Sequence, residues 1–276
     1  MKRNIVLWTI AVLITIITAI YQRVTGPTYP ISGNIELAGE KINYKLNRSH
    51  GGNEDYKIAV KVNDSKTNGT LFYKRYKTAD EWTSIEMNID GENLTASLPH
   101  QPPAGKLEYY LELKNENNTV KFPEENSVVI RFKGAVPLSV LIPHIIGMVL
   151  AMLFSNRTGL EFFNKKPNFK KLTFWTLGFL FVGGLFFGPI VQKFAFGEYW
   201  TGFPFGHDLT DNKTLIAFLG WLVALFMYGK SKVPKMWALF GVIILLIVYL
   251  IPHSVMGSEI DYNKLDKEKL KKEILK

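Results

Sequence analysis

Hydrophobic residues fall along the chain in two rhythms. Five runs are nearly uninterrupted: residues 5–21, 137–154, 172–191, 209–228 and 233–252. Each is about 17 to 20 residues long, enough helix at 1.5 Å per residue to cross the hydrocarbon core of a bilayer. Between the first and second runs apolar and polar residues instead alternate, in NIELAG, KINYKLN, YKIAVKV, TLFYKRY, WTSIEMNI, NLTASLP, KLEYYLELK, TVKF and SVVIRF. Period-two alternation is the pattern of half-buried strands. Asp90-Gly91 and the prolines Pro99, Pro102 and Pro103 supply turn signals between them.

The fold expected is therefore mixed: a helical membrane part with about five spans, into which an extracytoplasmic all-β sandwich of about 100 residues is inserted. The division predicted is an N-terminal transmembrane anchor at 1–26, a β-sandwich at 27–134, a four-helix transmembrane domain at 135–257 with an outer loop at 192–208, and a charged tail at 258–276. Lys2 and Arg3 ahead of the first run also fit a signal peptide, but TAIYQRV lacks the small residues of a cleavage site. An uncleaved anchor is expected.

Charge sets the orientation. Of the residues behind a formal net charge of +9, Arg157, Lys165, Lys166, Lys170 and Lys171 fall in one short loop and Lys230, Lys232 and Lys235 in another. Basic loops stay in the cytoplasm. In a cytoplasmic (inner) membrane this places the β block, the 192–208 loop and the C-terminus on the outer side. The positive charge then reflects topology, and no nucleic-acid partner is expected; the lipid bilayer and membrane or periplasmic proteins are. With no cysteine, disulfides and thiolate metal ligands are excluded. No phosphate loop, dinucleotide fingerprint, nucleophile elbow or zinc-protease helix motif points to an enzyme.

The run GTLFYKRYKTADEWTSIEMNIDGENLTASLPHQPPAGKLEYYLEL resembles the fibronectin III and immunoglobulin-like modules of bacterial surface proteins, in which a Tyr-bearing strand, a W-x-x-x-x-M strand, a proline turn and an EYY strand follow in order. The resemblance implies a spacer or binding module. It says nothing of a reaction. Tyr73, Trp82, Tyr109 and Tyr110 read as core or cross-strand packing ahead of a ligand face, and His50 and His100 as loop residues.

The remaining histidines carry the candidate chemistry. His144 in LIPHIIGM, His207 in the loop and His253 in LIPHSVMGSE all fall in the outer half of the predicted membrane part. An ionisable side chain there is costly without a partner. In one reading His144, His207 and His253 bind zinc, copper or iron, with Asp208 or Glu259 as carboxylate ligand. In another, His144 and His253 are axial ligands of a haem beneath Trp200. In a third, the histidines bond to backbone carbonyls freed by Pro143 and Pro252.

The segment GEYWTGFPFGHDLTDNKTLIAFLGWLV resembles the tryptophan-rich haem-handling segment of cytochrome c assembly proteins, on Trp200, Gly202, Asp208 and the order His144, loop, His253. That family's repeated tryptophans and its Trp-Asp-Pro-Lys-Glu run are absent. Local structure explains part of the same loop: Asp208 fits a helix N-cap with Asp211 at the third helical position, and Tyr199, Trp200, Phe203 and Phe205 fit an interfacial aromatic belt. His207 is left unexplained by that reading.

Gly178, Gly183, Gly184 and Gly188 would let another helix approach the third span. In the tail, Ile260, Leu265, Leu270, Ile274 and Leu275 are loosely periodic, and a solvated helix is expected. Two functions remain open: an accessory of a respiratory, haem-handling or metal-handling assembly with an outer histidine site, or a cofactor-free scaffold that binds protein partners through its β domain.

Overall fold

The computed structural model describes the chain except residues 1, 65, 117, 275 and 276, so Leu275 of the tail lies outside the described residues. The chain divides into two compact units. One comprises residues 1–27 and 136–258, the other 28–135 and 259–276.

The first unit is helical: α1 (Lys2–Val24), α2 (Leu138–Leu160), α3 (Phe169–Phe179), α4 (Gly188–Phe196), α5 (Leu209–Tyr228) and α6 (Pro234–Leu250). A π-helical segment, Leu180–Phe187, joins α3 to α4 into one 28-residue helix. Among the described residues, four helices are long and apolar enough to cross a membrane: α1, α2 with its short continuation to Phe163, the joined α3–α4, and α5. The last, α6, is apolar but only 17 residues long. It stops at Leu250 because Ile251 adopts an extended backbone ahead of Pro252, as the steric demand of proline requires.

Helix contact in this unit depends on small residues. Gly147 of α2 meets Gly183 so closely that a Cβ on Gly183 would lie 2.8 Å from the Gly147 carbonyl carbon. Gly184 faces Thr214 of α5 in the same way. Gly183 and Gly184 of the third span are therefore consumed in packing within the chain. The core around them holds Trp221 and Leu245, both fully buried, with Ala151 and Ala217.

The described residues of the second unit form eleven strands. A hairpin pairs β1 (Ile31–Leu37) with β2 (Glu40–Leu46). A second sheet runs in the order β4 (Tyr56–Lys61), β8 (Asn93–Leu98), β7 (Asn88–Asp90). The third runs β3 (Ser49–Gly51), β11 (Val128–Lys133), β9 (Lys106–Asn115), β5 (Asn68–Arg75), β6 (Thr83–Glu86), with β10 (Asn118–Phe122) beside the second half of β9. All pairings are antiparallel except β3 with β11.

The stretch WTSIEMNI, a single strand by its alternation, is split. Its first part pairs with β5 and its second with β8, and the buried Met87 lies between them. The Asp90-Gly91 signal is a tight turn, with Gly91 at φ 63 and Asp90 paired to Asn93. Inward residues of all three sheets, such as Leu37, Leu94 and Leu111, form one core. The four aromatics expected in core or cross-strand packing divide between the two: Tyr109 is buried with its hydroxyl donating to the Asn47 carbonyl at 2.8 Å, and Tyr73 packs against the core. Trp82 and Tyr110 instead stand with Phe72 on the opposite face of the sheet.

The tail is not a free helix. Glu259 bridges Lys77 and Lys106 at 2.5 and 2.6 Å, and the Ile260 N–H donates to the Ala104 carbonyl. At the start of α7 (Tyr262–Ile274), Tyr262 is buried; its hydroxyl donates to Gln101 and accepts from the Lys106 N–H. Arg75 holds Asp80 on its own loop and Asp266 of α7 together. Burying a tyrosine with both hydrogen-bonding capacities filled is favourable, which is why this segment folds with the strands.

Two outcomes follow from this packing. The Arg75 guanidinium holds the carboxyls of Asp80 and Asp266 below the usual range by its hydrogen bonds. A depressed folded-state value gives stability that is present above the unfolded pKa, about 3.9 for aspartate, and is lost as pH falls through the folded value. Protease release of α7 should thus increase on acidification below about pH 4, and Arg75→Met should remove that pH dependence. Separately, Gly183→Val should destabilise the helical unit by about 1–3 kcal/mol through overpacking, read as a lower unfolding temperature in detergent.

Candidate functional site

The loop between α4 and α5 folds onto a buried polar cluster. The α4 helix ends at Gly197, which takes the left-handed conformation at φ 88. The chain then turns through Gly202, whose N–H and that of Thr201 both donate to one oxygen of Asp211, at 3.0 and 2.7 Å. No Cβ fits at Gly202, since it would stand 2.6 Å from the Asp211 Cβ. The Phe203 N–H donates to Asn212 Oδ1. The loop is thus fastened to the first turn of α5 by three backbone donors.

Asp208 is the N-cap expected from the sequence: its Oδ1 accepts from the Thr210 N–H at 2.8 Å. Asp211 departs from the capping box. The Asp208 N–H goes to the Thr201 carbonyl, and the Asp211 carboxylate serves the loop instead of reaching back to the cap. The second Asp208 oxygen accepts from the N–H and the hydroxyl of Ser258, both at 2.8 Å. Between the two carboxylates lies the Thr201 hydroxyl, 3.3 Å from one oxygen of each; it accepts from Gln192 of α4 at 2.6 Å and touches Ser258 Oγ at 2.9 Å.

Lys213, one helical turn further along α5, is only 5% exposed and donates to the carbonyl of Ile251 at 3.0 Å. It thereby caps the C-terminal end of α6, where helix carbonyls lose their own partners and a cation is favoured. Sequence reasoning passed over Lys213, Gln192, Thr201 and Ser258. The readable signal was Lys213 itself, a charge inside an apolar run.

Each residue expected to bind a metal or haem has its own local setting. His144 donates from Nδ1 to the Gly183 carbonyl at 2.8 Å, so its partner is the π-helical segment rather than a carbonyl freed by Pro143. His207 and His253 are exposed, and the carbonyl of His253 lies against Gly26. Trp200 bonds its indole N–H to the Phe203 carbonyl within its own loop. Glu259 belongs to the β unit and forms ion pairs with Lys77 and Lys106. Among the described residues, no group of three or more His, Asp and Glu side chains is placed to hold a metal ion.

A second buried polar cluster joins α1, α2 and α3. Arg157, read from the sequence as a loop residue, is 2% exposed and forms an ion pair with Glu161, four residues on. Its Nη2 donates to Asn4 of α1 at 2.6 Å, and its guanidinium lies over the Trp8 ring. Glu161 also accepts from the Asn168 N–H that opens α3, and Asn156 donates to Thr15. A buried ion pair keeps its place only when further hydrogen bonds support it; here Asn164 and Asn168 serve the Glu161 carboxylate and Asn4 serves Arg157 Nη2, while Arg157 Nε is buried without a hydrogen-bond partner among the described residues.

Substitutions should separate the two aspartates. Asp211→Leu strands two buried N–H groups, each costing about 1–3 kcal/mol, and should lower the unfolding temperature strongly. Asp208→Asn keeps a capping oxygen and should cost less, about 1 kcal/mol. Equal losses in a thermal melt would mean that the loop is not held through Asp211.

No protein-family model matches the chain, and no curated protein matches it in sequence, so the reading of its site rests on this geometry.

Proposed function

We propose that the chain is a multi-pass protein of the cytoplasmic membrane that acts as a cofactor-free scaffold, with its β unit as an Ig-like or fibronectin III-like module that binds protein partners on the outer side. The observation that carries this reading is that the two candidate carboxylate ligands are engaged within the chain: Asp208 by Ser258 and Thr210, and Glu259 by two lysines.

The β unit supports it with an aromatic face. Phe72 stacks on Tyr110 with ring centroids 4.8 Å apart, Trp82 meets Tyr110 edge-on at 4.8 Å, and Lys121 and Lys74 lie over Tyr110 and Trp82. Aromatic residues are enriched in protein interfaces, where they supply much of the binding energy. The outer placement follows from the basic loops by the positive-inside rule.

The full chain purified in detergent should show no Soret band and no stoichiometric zinc, copper or iron. A haem spectrum or a 1:1 metal content that His144→Ala or His253→Ala removes would overturn the scaffold reading and restore the outer histidine site.

A further inference from the structure

At one end of the helical unit the exposed charge is of a single sign. Lys2 and Arg3 open α1, Lys165, Lys166, Lys170 and Lys171 lie between α2 and the first turn of α3, and Lys230, Lys232 and Lys235 surround the turn from α5 to α6; all are exposed. The one carboxylate in residues 2–4, 157–171 and 229–236 is Glu161, which is buried and paired with Arg157. No exposed acid in these segments offsets the cations.

The three segments share that end. Arg157, near the end of α2, donates to Asn4 of α1 at 2.6 Å, and the Asn168 N–H ahead of α3 donates to Glu161. Val242 of α6 faces Gly159 while Tyr249 donates to the Met148 carbonyl, so α6 runs antiparallel to α2 and begins beside its end.

The positive-inside rule counts lysine and arginine and is nearly indifferent to acids. The lack of an exposed carboxylate is therefore a separate property of this end, and it leaves a field that only an anionic counterpart neutralises. The setting of the cations identifies that counterpart. Lys230 Nζ stands 4.1 Å from the centroid of the Phe226 ring, and Phe226 is 60% exposed on a helix long and apolar enough to span. A ring so placed faces lipid tails, and the ammonium over it lies at headgroup depth, as the charge of a lysine laid along an apolar surface does. Phe163 and Phe174, likewise exposed, flank the four lysines between α2 and α3. The connections, residues 161–168 and 229–233, are short enough to keep their charges near the same boundary. An acidic soluble protein would have to displace headgroups already there.

We propose that this end of the helical unit selects anionic phospholipid from the bilayer, the lysines of the α2–α3 and α5–α6 connections binding headgroups of net negative charge. The inference rests on these helices crossing a membrane. Lysine and arginine clustered next to a span attract anionic lipid, and nothing of opposite sign exposed in these segments competes for them.

The full chain, stripped of lipid in detergent, tests this after incubation with equal amounts of phosphatidylglycerol and phosphatidylcholine of the same acyl chains, the retained lipids being counted by native mass spectrometry. The natural protein should retain several-fold more phosphatidylglycerol, and high salt, which screens exposed charges, should bring the ratio toward one. Lys165→Gln with Lys166→Gln, Lys170→Gln and Lys171→Gln should remove most of the excess, and Lys230→Gln with Lys232→Gln and Lys235→Gln should remove part of it. Lys193→Gln, at an exposed cation of α4 next to the α4–α5 loop, should leave it unchanged. Unfolding temperatures without added lipid check that each variant is folded. A ratio of one for the natural protein would leave these cations to an acidic protein, and an excess that both lysine variants keep would place the selection elsewhere; either result overturns the proposal. Retention of neither lipid would overturn the membrane reading along with it.

Discussion

A carboxylate among apolar helices must be fully hydrogen-bonded, and the arrangement of the helical unit follows from how Asp211 and Asp208 meet that demand. Desolvating an unpaired ion is among the largest penalties available to a protein. Asp211 takes two backbone donors from the α4–α5 loop, and Asp208 takes the start of α5 and Ser258. Each bond that removes a penalty also fixes a segment of chain. The aromatic loop, the first turn of α5 and the strand of chain after α6 are therefore positioned by the same two side chains.

Lys213 extends the arrangement to the end of α6. Ile251 and Pro252 terminate that helix with carbonyls that no later N–H can reach, and an ammonium group supplies the donor. A proline stop within an apolar setting is tolerable only where a neighbouring element provides such a group. The same logic explains His144: the π-helical turn around Gly183 offers a carbonyl, and the imidazole of α2 uses it. Of the polar residues read as a ligand set, His144 is the partner of irregular backbone and Asp208 of a helix end.

This accounts for what the sequence revealed and what it hid. Period-two alternation marked the strands because one face of each meets the common core, and apolar runs marked the helices because few charges interrupt them. The cap at Asp208 was legible because capping is local. The role of Asp211 was not, since its partners Thr201 and Gly202 precede it by about ten residues in a loop with no regular geometry. Arg157 looked like a loop cation because its partners, Glu161 and Asn4, are respectively an acid that ends the apolar run and a residue of a distant helix. Spacing along the chain carries no record of either.

The tail shows the same limit from the other side. Its composition is that of a solvated helix, and residues 267–273 are exposed as that composition requires. What binds its beginning is one buried ring and three ion-paired side chains: Tyr262, Glu259, Asp266 and the Arg75 that faces them. Surface ion pairs alone contribute little, but here they surround a tyrosine whose hydroxyl is doubly bonded in a dry site, where hydrogen bonds are stronger and misplacement is costly. The β unit is accordingly discontinuous in sequence, closed by a segment that the chain supplies only after the last helix of the other unit. A fold of this kind can complete its β unit only once the whole helical region has been synthesised, so the order of the chain imposes an order on its assembly.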